Sequence, residues 1–242
     1  MLTELLAEVW RRATTPQPAP EPYVIAGIAV VALVIVASPA WPAVRMLATI
    51  THEGGHALVG LLTGRRLTGI KLNRDTSGVT ISKGAPSGPG MVATLLAGYP
   101  APAITGLGAA LLLNAGYAVG MLWLAVGLLG LMLLMMRNFY GILVILVVGT
   151  AVVLVSWFLS PTWQSWIAYG VCWLLLWSAP RPVVEVARHP ERGSDVAQLR
   201  RLTRIPTGVW LFGFVTFTVV AVGVGAFLLL PVTEALTALG LR

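Results

Sequence analysis

His52 and His56 stand four residues apart with Glu53 directly after the first, a His-Glu-x-x-His pattern inside an apolar stretch. Residues four apart share one face of a helix, so the two imidazoles aim at a common point. That geometry supplies two nitrogen ligands to a zinc ion (Zn2+), with Glu53 placed as general base on a water held by the ion. Chance alone produces such patterns in long sequences, but this chain has only three histidines among 242 residues and two of them fall here. Glu53 is also the one acidic residue within any of the apolar runs. A charge at the centre of a membrane helix costs roughly 2.5 kcal/mol or more, so a residue retained there points to function.

The elements that must position these residues belong to a membrane protein. Hydrophobic residues make up 57% of the chain and charged residues 10%, against about 25% charged in soluble domains. The mean hydropathy is +0.85. The net charge of +7 tracks membrane orientation rather than a nucleic-acid partner, and no nucleic acid is expected. Cys172, the lone cysteine, has no partner for an internal disulfide and reads as packing.

Residues 1–22 read as an N-terminal segment. Leu2, Leu5, Leu6, Val9 and Trp10 at helical spacing, followed by Arg11 and Arg12, predict a helix on the membrane surface. Pro16, Pro18, Pro20 and Pro22 then make an extended linker. A cleaved signal peptide is not expected, because the start is acidic and the first apolar run lies far from Met1. Residues 23–242 read as a single integral membrane domain. Seven apolar runs, near 23–39, 43–63, 91–113, 117–136, 139–159, 163–178 and 208–230, approach the roughly 20 residues a span requires. The predicted fold is therefore an all-α polytopic membrane protein of about seven transmembrane helices.

With seven crossings and a cytoplasmic N-terminus, all of the 16 basic residues except Arg45 and Arg242 fall in inside segments. That count predicts an N-in, C-out orientation with the histidine motif in the cytoplasmic half of the second span. Trp41, Trp157, Trp163 and Trp166 are then expected near the outer interface, and Trp177 and Trp210 near the inner one. After the motif, Ile70 and Leu72 alternate with Lys71 and Asn73, and Val79 and Ile81 with Thr80 and Ser82, around a turn-forming stretch at 74–78. This predicts a small cytoplasmic β-hairpin after the second span. The glycines and prolines at 98–102 read as tight packing and kinking rather than chemistry.

A catalytic zinc takes three protein ligands and leaves a position for water. Candidates for the third are Asp75, Asp195, Glu185, Glu191, His189 or a terminal glutamate. Asp75 is explained by turn chemistry, and Glu185, His189 and Glu191 sit among arginines on what reads as a solvated face. Asp195 is favoured, because it starts a short helix behind Ser194 that leads back to the membrane. Its alternative role is to favour that helix N-terminus through the dipole. Asn138, at the turn between two spans, is a candidate substrate-binding residue that donates to a developing oxyanion, or equally a helix cap.

These residues resemble a known family. A His-Glu-x-x-His helix in a polytopic bundle, followed by a hairpin, looks like the site-2 proteases, the intramembrane zinc metalloproteases. The motif at 52–56, the run at 137–141 and the stretch from Ser194 to Trp210 are similar to its compact bacterial branch without a PDZ domain. The resemblance implies a zinc endopeptidase of a bacterial cell membrane that cuts membrane-protein or transmembrane-peptide substrates, such as anti-sigma factors or signal-peptide remnants. It matches Asp195 to a late aspartate completing the zinc site, although the family's Leu-Asp-Gly run is absent here, and Asn138 to a substrate-contacting asparagine. The rival readings are a catalytically inactive relative that binds or escorts membrane proteins, and a transporter. The first leaves Glu53 without a purpose, and the second lacks paired intramembrane charges.

Overall fold

The computed structural model describes residues 1–230; Glu234 and Arg242 lie outside them. In chain order these residues form α1 (Leu2–Thr14), α2 (Pro22–Ala37), α3 (Trp41–Leu62), β1 (Arg66–Leu72), β2 (Gly78–Lys83), α4 (Pro89–Leu96), α5 (Ala101–Asn114), α6 (Ala118–Met135), α7 (Phe139–Phe158), α8 (Pro161–Ser178), α9 (Pro180–Arg188), α10 (Asp195–Thr203) and α11 (Thr207–Leu229). The described residues are mostly helical with one two-stranded antiparallel sheet. Prolines open α2, α4, α8 and α9, where the missing N–H costs no helical bond.

Four helical stretches are long and apolar enough to cross a membrane singly: α6, α7, α11, and α8 running on into α9. Two further pairs qualify only when joined, α2 with α3 across a 98° bend and α4 with α5 across a 62° bend. Among the described residues, four to six candidate spans therefore stand where seven were expected. The difference has two causes. The second expected span is α3, where Arg45, Thr49, Thr51, His52, Glu53 and His56 dilute the apolar character. The third breaks between Leu96 and Ala101, at the glycine and proline of that stretch.

The direction of α3 also departs from expectation. Its first residue, Trp41, packs with Val36 and Trp177, and the Arg181 guanidinium lies 4.8 Å from the centre of the Trp41 ring. Arg45 reaches Glu185 of α9 at 3.5 Å. Farther on, the Thr49 hydroxyl donates to the Thr76 carbonyl in the hairpin turn at 2.7 Å, and Arg65, just past the helix, donates to Ser82 of β2 at 3.0 Å. Both ends of α3 thus lie on the hairpin's face of the bundle. Trp41 and Arg45 are at the same end as Trp177 and α9, not at the opposite interface.

The N-terminal segment lies at the other end. Arg12 donates to the Trp157 carbonyl at 3.0 Å, near the close of α7, and the Gln17 N–H donates to Gly116 in the turn between α5 and α6 at 2.8 Å. The hairpin is fastened to the beginning of α7, where the Arg137 N–H donates to Ile70 at 2.9 Å. The expectation of one cytoplasmic face shared by the N-terminus and the hairpin therefore fails. Counting α3 as a crossing inverted everything before it.

The main core joins small residues of several helices, among them Ala29 and Ala32 of α2, Ala109 and Ala110 of α5, and Ala168 and Cys172 of α8. Small side chains let membrane helices approach closely, which is where their packing energy arises. In the hairpin, Ile70 pairs opposite Thr80 and Leu72 opposite Gly78. Directly opposed residues share a face, so the sheet's inward face is apolar along β1 and polar along β2. Ile70 and Leu72 are fully buried, while Val79 and Ile81 on the outer face are exposed.

Candidate metal centre

Three side chains from two distant parts of the chain converge. The Nε2 atoms of His52 and His56 are 3.1 Å apart, and Asp195 Oδ2 lies 3.1 Å from each of them. The histidines share one face of α3, as their spacing predicts. Asp195 is delivered by α10, whose start is fixed by Ser194: its hydroxyl accepts from the Ala197 N–H at 3.3 Å. Val196 and Leu199 anchor the same helix in a cluster with Leu95, Tyr99 and Phe214.

The donor set fits a zinc ion. Ligand atoms in a tetrahedron with bonds of about 2.1 Å are roughly 3.4 Å apart, close to the 3.1 Å edges of this triangle. The His56 Nδ1 donates to the Thr94 carbonyl at 2.7 Å, which in the neutral ring leaves Nε2 as a lone pair facing the carboxylate. A lone pair against a carboxylate oxygen calls for a cation between them, and a bond from the far ring nitrogen to a carbonyl is the usual support for a ligating histidine. Thr94 can serve because α4 ends at Leu96, and carbonyls of a last turn lack their full helical partners.

Gly98 keeps the space beside the ligands open. A Cβ there would fall 2.5 Å from His56 Nε2 and 2.6 Å from His52 Nε2. The neighbouring Tyr99 packs edge-on to His52 at 5.0 Å between ring centres. The stretch at 98–102, read from sequence as packing alone, therefore walls the site as well as bending the helix.

Glu53 is 4% exposed. Its Oε2 accepts from the Thr80 hydroxyl of β2 at 2.7 Å, and a Cβ on Gly78 would come within 2.7 Å of Oε1. Glu53 and the three metal-site residues line one cavity of about 860 Å3, bounded by α3, β2, the turn into α5, and α9 and α10.

The structure thus brings together His52, His56, Asp195 and Glu53, but not Asn138. The Asn138 amide accepts from the Leu72 N–H at 3.2 Å and donates to the Leu72 carbonyl at 2.6 Å, closing the outer edge of β1. Among the rejected ligand candidates, Asp75 is bound to Ser77 within its turn and Glu185 lies between Arg45 and Arg181. Thr80, Thr94, Gly78 and Gly98 were given no role at the site from the sequence. Only the polar phase of the β2 alternation hinted at Thr80, and it has the look of an outward face.

No curated protein and no solved structure matches this chain. The profile of the Peptidase M50B-like family matches residues 24–225, a stretch that begins after the proline linker and includes every residue of the cluster. The chain belongs to the Peptidase M50B-like family, and so to the site-2 protease kind that its motif resembles.

Proposed function

We propose that this integral membrane protein is a zinc endopeptidase that hydrolyses peptide bonds of membrane-embedded proteins. The observation that carries the reading is the triangle of His52, His56 and Asp195, 3.1 Å on each side, with the buried Glu53 in the same cavity. His52, His56 and Asp195 hold the ion, which when bound supplies Lewis acidity and makes water nucleophilic near neutral pH. Glu53 takes the proton of the attacking water and returns it to the leaving amine. Asp195 keeps the ligand set anionic, and Thr94 fixes which His56 nitrogen faces the metal.

A helical substrate has its carbonyls in hydrogen bonds and must be extended before it is cut. The hairpin suits that task at one edge only. The edge of β1 away from β2 is taken by Met136, Arg137 and Asn138, whereas among the described residues no strand pairs with the far edge of β2. Gly78, Thr80 and Ser82 of that strand line the cavity, so a peptide added to β2 runs past Glu53. The arginines and lysines gathered on the hairpin's face favour a cytoplasmic placement for it, with the N-terminal helix on the opposite side.

The test is cleavage of an unstructured probe, β-casein, by the purified full chain in detergent with stoichiometric zinc. Cleavage by the native chain, and its loss in Glu53→Gln with zinc retained, supports the reading. Zinc binding without cleavage in either form contradicts it and leaves a binding or escort protein.

A further inference from the structure

Thr80 is a polar residue on the inward face of a sheet whose other strand turns Ile70 and Leu72 inward. Its hydroxyl lies 2.7 Å from Glu53 Oε2 and 3.0 Å from the backbone carbonyl of the same residue. One hydroxyl therefore grips both the side chain and the main chain of Glu53. Two residues earlier on the same face, Gly78 sits so close that a Cβ would lie 2.6 to 2.9 Å from the Glu53 side chain. The strand is laid directly on this carboxylate, and an alanine there would force the Glu53 side chain to shift. The hairpin is fastened separately through β1 to the start of α7.

We propose that Thr80 is the positioning residue of the general base, and that it ties Glu53 to the strand whose free edge receives the peptide. This rests on the peptidase reading above. While Glu53 is a carboxylate, the Thr80 hydroxyl donates to Oε2. Once Glu53 has taken the water's proton, the hydroxyl turns its own hydrogen to the Glu53 carbonyl and accepts from the carboxylic acid. Glu53 then needs no change of rotamer between the two halves of the reaction. Because Thr80 lies on the strand that accepts substrate, a peptide seated along β2 steadies the base at the same time as it presents its carbonyl.

The test compares the full chain with Thr80→Val, which keeps the shape and removes the hydroxyl, and with Thr80→Ser, which keeps the hydroxyl. A lost hydrogen bond to a charged group corresponds to roughly a tenfold or larger fall in kcat. On β-casein, Thr80→Val should show that fall with KM within about twofold and with native zinc content and Tm, while Thr80→Ser keeps most of the native kcat. A second reading needs no turnover. The infrared carboxylate band of Glu53, isolated as the difference between the chain and Glu53→Gln, should shift in Thr80→Val and return in Thr80→Ser. Native kcat or an unmoved band in Thr80→Val overturns the proposal while leaving the peptidase reading intact. A fall in kcat that follows lost zinc or a lowered Tm also overturns it, because Thr80 is then merely structural. No cleavage by the native zinc-loaded chain overturns both.

Discussion

Two regions of this molecule are built by opposite rules. α6 and α7 are continuous and apolar on nearly every side, and most of their surface faces outward rather than into the protein. The region from α2 to α5 is interrupted twice, with bends of 98° and 62°, and is threaded by a hairpin. The first region makes a membrane anchor from hydropathy alone. The second uses broken helices, which leave the Thr94 carbonyl able to accept from His56 and bring a glycine at 98 against both imidazoles. Irregular backbone at membrane depth is tolerated where it lines a cavity, and here the cavity holds the candidate metal site.

This contrast can be broken by the same kinds of change in each region. The largest effect belongs to Asp195→Asn, which removes the anionic corner of the triangle. Zinc should be lost on dialysis and casein cleavage should fall to background, as it should in native protein treated with a chelator and recover when zinc is returned. Gly98→Ala comes next. Its Cβ meets both imidazoles, and zinc affinity measured by competition with a chromophoric chelator should weaken by at least about tenfold. Asn138→Ala sharpens the comparison at the joint between the regions. It strips the fully buried Leu72 of partners for its N–H and carbonyl, which costs about 1–3 kcal/mol. A lowered Tm with zinc retained is expected. The smallest effect is that of Gly127→Ala in α6, where nothing lies within 4 Å of the added methyl. Zinc affinity and cleavage should be native, with Tm unchanged or slightly raised, since alanine is favoured over glycine in a helix.

What the sequence made legible follows the same division. The unbroken helices α6, α7 and α11 lie within a few residues of their expected spans, because a continuous apolar run has one solution in a bilayer. The pairing of His52 with His56 was readable from helical period, and Asp195 from its place behind the capping Ser194. The course of α3 was not readable. Hydropathy reports whether a helix can lie in lipid, not whether it passes through, and the turn at Ser38 looks like any loop between spans. One miscounted crossing then placed Arg11 and Arg12 on the hairpin's face, although Arg12 is bound at the far end of α7. Thr80 stayed hidden for a related reason. Alternation gives the two faces of a strand, but an inward polar face has the same pattern as an outward one until a buried carboxylate is found beneath it.

The central claim is that His52, His56 and Asp195 hold one zinc ion. X-ray absorption at the zinc edge on the purified chain tests it most directly. Two imidazole nitrogens and carboxylate or water oxygen at about 2.0–2.1 Å are predicted, with the imidazole signal reduced in His52→Ala and His56→Ala. A native chain that retains no zinc, or whose zinc signal is unchanged by both substitutions, would contradict the account.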